Sequence, residues 1–128
     1  MEVPLFAMSR EAGADLSTHQ YKFVKLDSNG RVIAVAAATD IPCGILQNKP
    51  NALGVAAEIM VAGVSEVQAD GALAPGDLMG TSADGQCDAK VAGTDTSNYI
   101  VGHVLIGASN AGERATVLFN CMNPSRGA

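Results

Sequence analysis

Residues 20–38 read QYKFVKLDSNGRVIAVAAA. In an extended chain Tyr21, Phe23 and Lys25 share one face, and Lys22, Val24 and Leu26 the other. Ser28-Asn29-Gly30 then interrupts the run, and Arg31–Ala38 resumes it. Asn-Gly between two β-rich segments marks a hairpin, because both residue types tolerate φ > 0. A hairpin here sets the architecture expected for the rest of the chain.

Working outward, IPCGILQ (41–47) is expected as the next strand, with Pro42 at its start or on an edge. Gly44 marks a bulge or a close backbone approach. NKPNALG (48–54) is the connecting loop. VAAEIMVAG (55–63) and VSEVQA (64–69) read as two strands, or as one strand kinked at Gly63. LMGTS (78–82), QCDAKV (86–91), YIVGHVLIGA (99–108) and ATVLFNCM (115–122) complete the set, separated by turn-rich segments. Strands at this spacing predict an all-β domain, a compact sandwich or barrel, with at most one short helix near 10–19 or 70–75.

The expected division is an N-terminal arm (1–13), a β-domain (14–122) and a C-terminal tail (123–128). The arm holds the apolar piece VPLFAM, with one strand expected at 4–8. Pro4 restricts it to extended geometry, which suits addition to a sheet edge. That edge is either a partner's or the domain's own.

Composition narrows the function. The 128 residues carry a net charge of −5, and their eight Lys and Arg form no cluster, so nucleic acid is not an expected partner. The N-terminal stretch lacks the basic and apolar regions of a secretory leader, and none is expected. No apolar run approaches the ~20 residues of a membrane-spanning helix, so no membrane partner is expected. Apolar residues reach 48% but aromatics only 4%. A core of small residues buries little area per side chain and favours further burial against neighbouring copies.

Cys43, Cys87 and Cys121 are odd in number, widely spaced and outside any Cys-x-x-Cys or Cys/His pattern. They are expected as free, buried thiols in a reducing compartment, and no metal or other cofactor is expected. A nucleophilic Cys43 would need a neighbouring base, and neither His19 nor His103 is linked to it by a motif. Neither G-x-S-x-G, a dinucleotide fingerprint nor a P-loop occurs. Asp15, Asp27, Asp40, Asp70, Asp77 and Asp84 fall at turns, where carboxylates bond nearby backbone N–H groups. No catalytic residue is assigned, and an enzyme is not expected.

The order of ADLSTHQYKFVKLDSNGRV (14–32), IPCGILQNKPNALGVAAEIMVAGVSEV (41–67), ADGALAPGDLMGTSADG (69–85) and YIVGHVLIGASNAGERATVLF (99–119) resembles the head-decoration, or capsid cement, proteins of tailed bacteriophages. The resemblance covers about residues 14–120. It implies a β-rich protein made in the host cytoplasm and carried on the capsid exterior as a homotrimer. There it would bind the major capsid protein and stabilise contacts between capsid subunits, without cofactor or turnover. The residues expected to touch the capsid are Val3, Pro4, Leu5 and Phe6 of the arm. Asn48, Lys49, Pro50, Asn51 and Leu53 of the loop are the candidates for a second capsid or inter-subunit contact. The alternative is a small β-barrel module that binds a glycan or peptide on a host surface, for which exposed aromatics would be required.

Overall fold

A computed structural model describes residues 2–128. It is all-β, with no helix among the described residues. Eleven strands follow in order: β1 (Val3–Glu11), β2 (Phe23–Leu26), β3 (Val32–Ala34), β4 (Gly44–Leu46), β5 (Ala56–Gln68), β6 (Leu78–Thr81), β7 (Cys87–Ala89), β8 (Tyr99–Ile100), β9 (Gly102–Ile106), β10 (Arg114–Asn120) and β11 (Ser125–Arg126). Nine form one antiparallel sheet in the order β3-β2-β4-β5-β10-β9-β6-β7, with β1 paired to β5. The remaining two, β8 and β11, pair with each other.

β5 is the spine. Its 13 residues are a single strand, and Gly63 at φ 130° is the kink. Gly63 faces Pro4 of β1 and Phe119 of β10, so the spine is paired on both edges at that point. The sheet curls until its ends meet other strands. Ala12, just past β1, bridges Val32 of β3, and Ala69, just past β5, bridges Cys87 of β7. This gives the expected barrel-like domain. Inside it lie Phe23, Val24, Val32, Ile45, Leu46, Ile59, Val67, Met79, Val104 and Val117, all at or near zero exposure. Burying each large apolar side chain stabilises the fold by about 1.5–3 kcal/mol.

The 20–38 hairpin is present but shorter than its apolar pattern. Val24, Lys25 and Leu26 pair with Ala34, Ile33 and Val32. Only Gly30 (φ 75°) is left-handed, and Asn29 is not. Asp27 organises the turn, its Oδ1 accepting from the N–H groups of Asn29 (2.8 Å) and Arg31 (2.9 Å). One left-handed glycine therefore suffices where two positive-φ positions were expected. Tyr21 stands outside the strand, also left-handed (φ 62°), its N–H donating to Leu46 and its carbonyl accepting from Gln68. These bonds turn the chain into β2 from outside the β2–β3 ladder.

The segment expected as an N-terminal arm is extended. It does not stand free, because Val3–Glu11 lie along β5 as an edge strand. Met1 lies outside the described residues. Part of the expected tail is also paired, Ser125 to Ile100 and Arg126 to Tyr99.

Candidate interaction surface

The strand registers line up five residues across the outside of the sheet. Val3 pairs with Val64, Val64 with Leu118, Leu118 with His103, and His103 with Leu78. Directly paired residues project from the same face, so the five form one row. The alternation of β10 explains why they face out: Val117 and Phe119 are buried while Leu118 between them is 40% exposed. The row spans roughly 19 Å at the usual inter-strand spacing. Four of its members are aliphatic, and it carries no carboxylate, Lys or Arg. Leu105 and Ile106 extend the exposed apolar surface along β9.

β1 contributes most of the exposure. Leu5 is 79% exposed, and Val3 and Phe6 about half, on a strand with no fully buried residue. Between Leu5 and the row lies a shallow groove of about 340 Å³, floored by Gly63, Gly102 and Phe119 and flanked by His103 and Leu118. Pro4 pairs with Gly63 across the ladder.

The loop expected as a second contact is at the other end of the ladder. Val3 pairs with Val64, whereas Glu11 pairs with Ala56 and Ala12 bonds Gly54. Eight residues of strand separate the two ends, about 26 Å. The structure therefore does not bring the arm's apolar residues and the loop together. Within the loop, roles divide. Asn48 pins it to β5, donating to the Ala56 carbonyl (3.0 Å) and accepting from the Glu58 N–H (2.9 Å). Pro50 is buried, and its carbonyl accepts from Leu16 (2.8 Å). Lys49, Asn51 and Leu53 point outward. Lys49 shares a small polar depression with Gln20, Gln68 and Arg114, and the Arg114 guanidinium lies 4.4 Å over the Tyr21 ring.

Titratable groups follow their surroundings. Burial pushes the Cys43 thiol up to about 11 and Cys87 to about 12, and raises Cys121 further. All three cysteines are free. His19 is lowered by burial and by nearby Lys22. Asp15 and Asp84 sit low because a backbone N–H group or a hydroxyl bonds them. Asp40 is held low first by Lys25, 2.8 Å away, and then by the N–H groups of Ala36 and Ala37. Asp70 is the exception, raised by burial and by Asp84 and Asp88. Among the described residues no three His, Cys, Asp or Glu are grouped to hold a metal ion.

Sequence reading placed the surface on the arm and missed Leu118, Leu78, Leu105 and Ile106. The signal for Leu118 was available in the alternation of ATVLFN. Leu78 and His103 join the row only through pairings between β6, β9 and β10, which are remote in sequence.

These features define a class: a curled antiparallel β-domain with an uncharged, largely apolar row on its outer face and an exposed edge strand. No family model and no curated protein sequence matches the chain. Among solved structures it is similar to the crystal structure of the head fiber gp8.5 N base of bacteriophage phi29. The TM-score is 0.64 at 19% identity, over 94% of this chain and 96% of that one. At that identity the likeness is one of fold.

Proposed function

We propose that the chain is a structural protein of a bacteriophage head, made in the host cytoplasm and mounted on the capsid exterior. It binds the major capsid protein and stabilises contacts between capsid subunits, as a homotrimer and without catalysing a reaction. The observation that carries this reading is the row Val3–Val64–Leu118–His103–Leu78, together with the exposed Leu5 and Phe6. A row of this kind on an acidic domain favours burial against another protein, since exposed apolar patches mark interaction sites. A stable interface takes roughly 20–30 residues per partner, far more than the row alone supplies. Several copies held by one particle, each touching the shell and a neighbour, would supply the remainder. Val3, Pro4, Leu5 and Phe6 are the proposed shell contacts, with Lys49, Asn51 and Leu53 available to a neighbouring subunit.

The fold shared with a head fiber base supports a head-associated role and favours a second form of it, in which the domain is the foot of a fibre. The two forms differ in what the protein does for the shell. Purified protein is mixed with heads that lack it, and bound copies and head survival on heating are measured. Saturable binding with a raised rupture temperature supports the clamping role. Binding without any change in head stability supports the fibre foot, and failure to co-sediment with heads overturns both.

A further inference from the structure

His103 is the titratable member of an otherwise aliphatic row. Its side chain is exposed, with Leu118 of β10 paired on one side and Leu78 of β6 on the other. It also flanks the apolar groove beside Leu5. Among the described residues no ion pair reaches it.

The strands around His103 direct their charges elsewhere. On β6, Asp77 adjoins Leu78, but its Oδ2 accepts from the Ala74 N–H (3.0 Å). On β10 the ionisable residue is Arg114, at the start of the strand and 3.8 Å from Glu66. On β5, Glu66 pairs opposite Thr116 rather than Leu118, and Glu58 accepts from the Ser9 hydroxyl (3.2 Å). Ahead of β1, Glu2 accepts from the Ser65 hydroxyl (3.4 Å), while Arg10 and Glu11 lie at the far end of that strand. None of these groups lines the groove with His103. The other polar side chain there, Asn120, has its Oδ1 committed to the Met122 N–H (2.8 Å).

We infer that His103 makes docking of the outer-face row pH-dependent: the row docks while the imidazole is neutral and is released when it is protonated. The inference rests on the proposed function, in which the row is buried against another protein of the head. A neutral imidazole has an apolar body and a polar tip, and can be buried beside leucines. An imidazolium taken out of water without a partner is costly, and this chain supplies it with no carboxylate. Histidine ordinarily changes charge between about pH 5 and 8. Binding that excludes the charged form weakens as pH falls through that range, by up to about tenfold per unit.

Heads that lack the protein are titrated with the full chain at about pH 8 and about pH 5.5, which bracket the histidine range. Ionic strength is held constant, and bound copies are counted after sedimentation. Wild type should bind about tenfold more weakly at the lower pH. His103→Gln and His103→Leu keep an uncharged side chain in the row and should each bind alike at both pH values. His19→Gln, outside the row, should retain the wild-type difference. Thermal melts at both pH values establish that the variants fold, and either His103 variant suffices if the other does not. Equal wild-type binding at the two pH values, tighter binding at the lower one, or a difference that persists in the folded His103 variants overturns the inference and leaves the proposed function standing. Absence of binding at the higher pH overturns the proposed function, and the inference with it.

Discussion

Gly63 faces Pro4 across the β1–β5 ladder, and its backbone is left-handed at φ 130°. A Cβ at Gly63 would collide with the Val3 carbonyl and come within 2.7 Å of the Leu5 nitrogen. Both obstacles are backbone, so neither can rotate away. Gly63→Ala should therefore cost about 1–3 kcal/mol through strain at this φ. Because the clash is with β1, that strand should also loosen. Limited proteolysis should cut the variant within residues 3–11 while the remaining sheet stays resistant, and a melt equal to wild type would refute the expectation.

How far the sequence revealed this arrangement depends on the range of the signal. Gly63 was readable as a kink because glycine interrupts an otherwise β-rich run. The hairpin at 28–30 was readable from Asn29-Gly30, although the turn uses Asp27 as its organiser and only one positive φ. Both are local signals. The placement of β1 was not readable: Pro4 fixes extended geometry, but nothing nearby distinguishes pairing with β5 from pairing with a partner. The outer-face row is a tertiary property. Leu78, His103 and Leu118 each look like ordinary strand residues until the β6–β9–β10 registers align them. Asn48 and Pro50 read as contact residues because a polar, proline-containing loop is ambiguous. Their hydrogen bonds to Glu58, Ala56 and Leu16, which shape the loop, depend on partners remote in sequence.

Asp40 ties Lys25 to the N–H groups of Ala36 and Ala37 through one carboxyl oxygen. Removing it in Asp40→Ala leaves these donors without their partner, at a cost of about 1–2 kcal/mol at a partly exposed site. The pH dependence follows from the direction of the shift. The folded pKa lies below the ordinary value of 3.8. The stabilisation is therefore present above that value and lost as pH falls through the folded pKa. Melts of wild type and Asp40→Asn, compared from neutral pH to acid, should converge below about pH 4. A gap that persists into strong acid would count against it.

The three thiols give the opposite dependence. Each is raised above 9.0 by burial, to about 11 for Cys43 and about 12 for Cys87. The folded protein keeps these protons where the unfolded chain would release them. Their contribution to stability is complete below about pH 9 and declines as pH rises through the folded values. The melting temperature should fall above pH 9 with a shallower slope in Cys87→Ala than in wild type, measured relative to each protein's own value at pH 8. A slope unchanged by the substitution would show that other groups dominate. Thiol titration at neutral pH should be slow on the native protein and reach three groups on denaturation without reductant.

The position of the contact with the head can be decided because its candidate surfaces are far apart. Leu118 lies in the row near the Val3 end of the β1–β5 ladder, and Leu53 near the Glu11 end, about 26 Å of strand away. Both side chains are exposed, 40% and 62%, so Leu118→Asp and Leu53→Asp remove no core packing. Surface changes of this kind usually alter stability by less than about 0.5 kcal/mol. Placing a carboxylate in a buried interface is different, since an unpaired charge taken out of water costs several kcal/mol. Leu118→Asp should therefore abolish saturable binding to heads while its melt stays near that of wild type. Leu53→Asp should bind heads normally and, where the loop meets a neighbouring copy, reduce only the cooperativity of binding. Binding lost in Leu53→Asp and kept in Leu118→Asp would move the shell contact to the loop, and the row would then lie between copies. Wild-type binding in both variants would remove the outer-face row from the contact altogether.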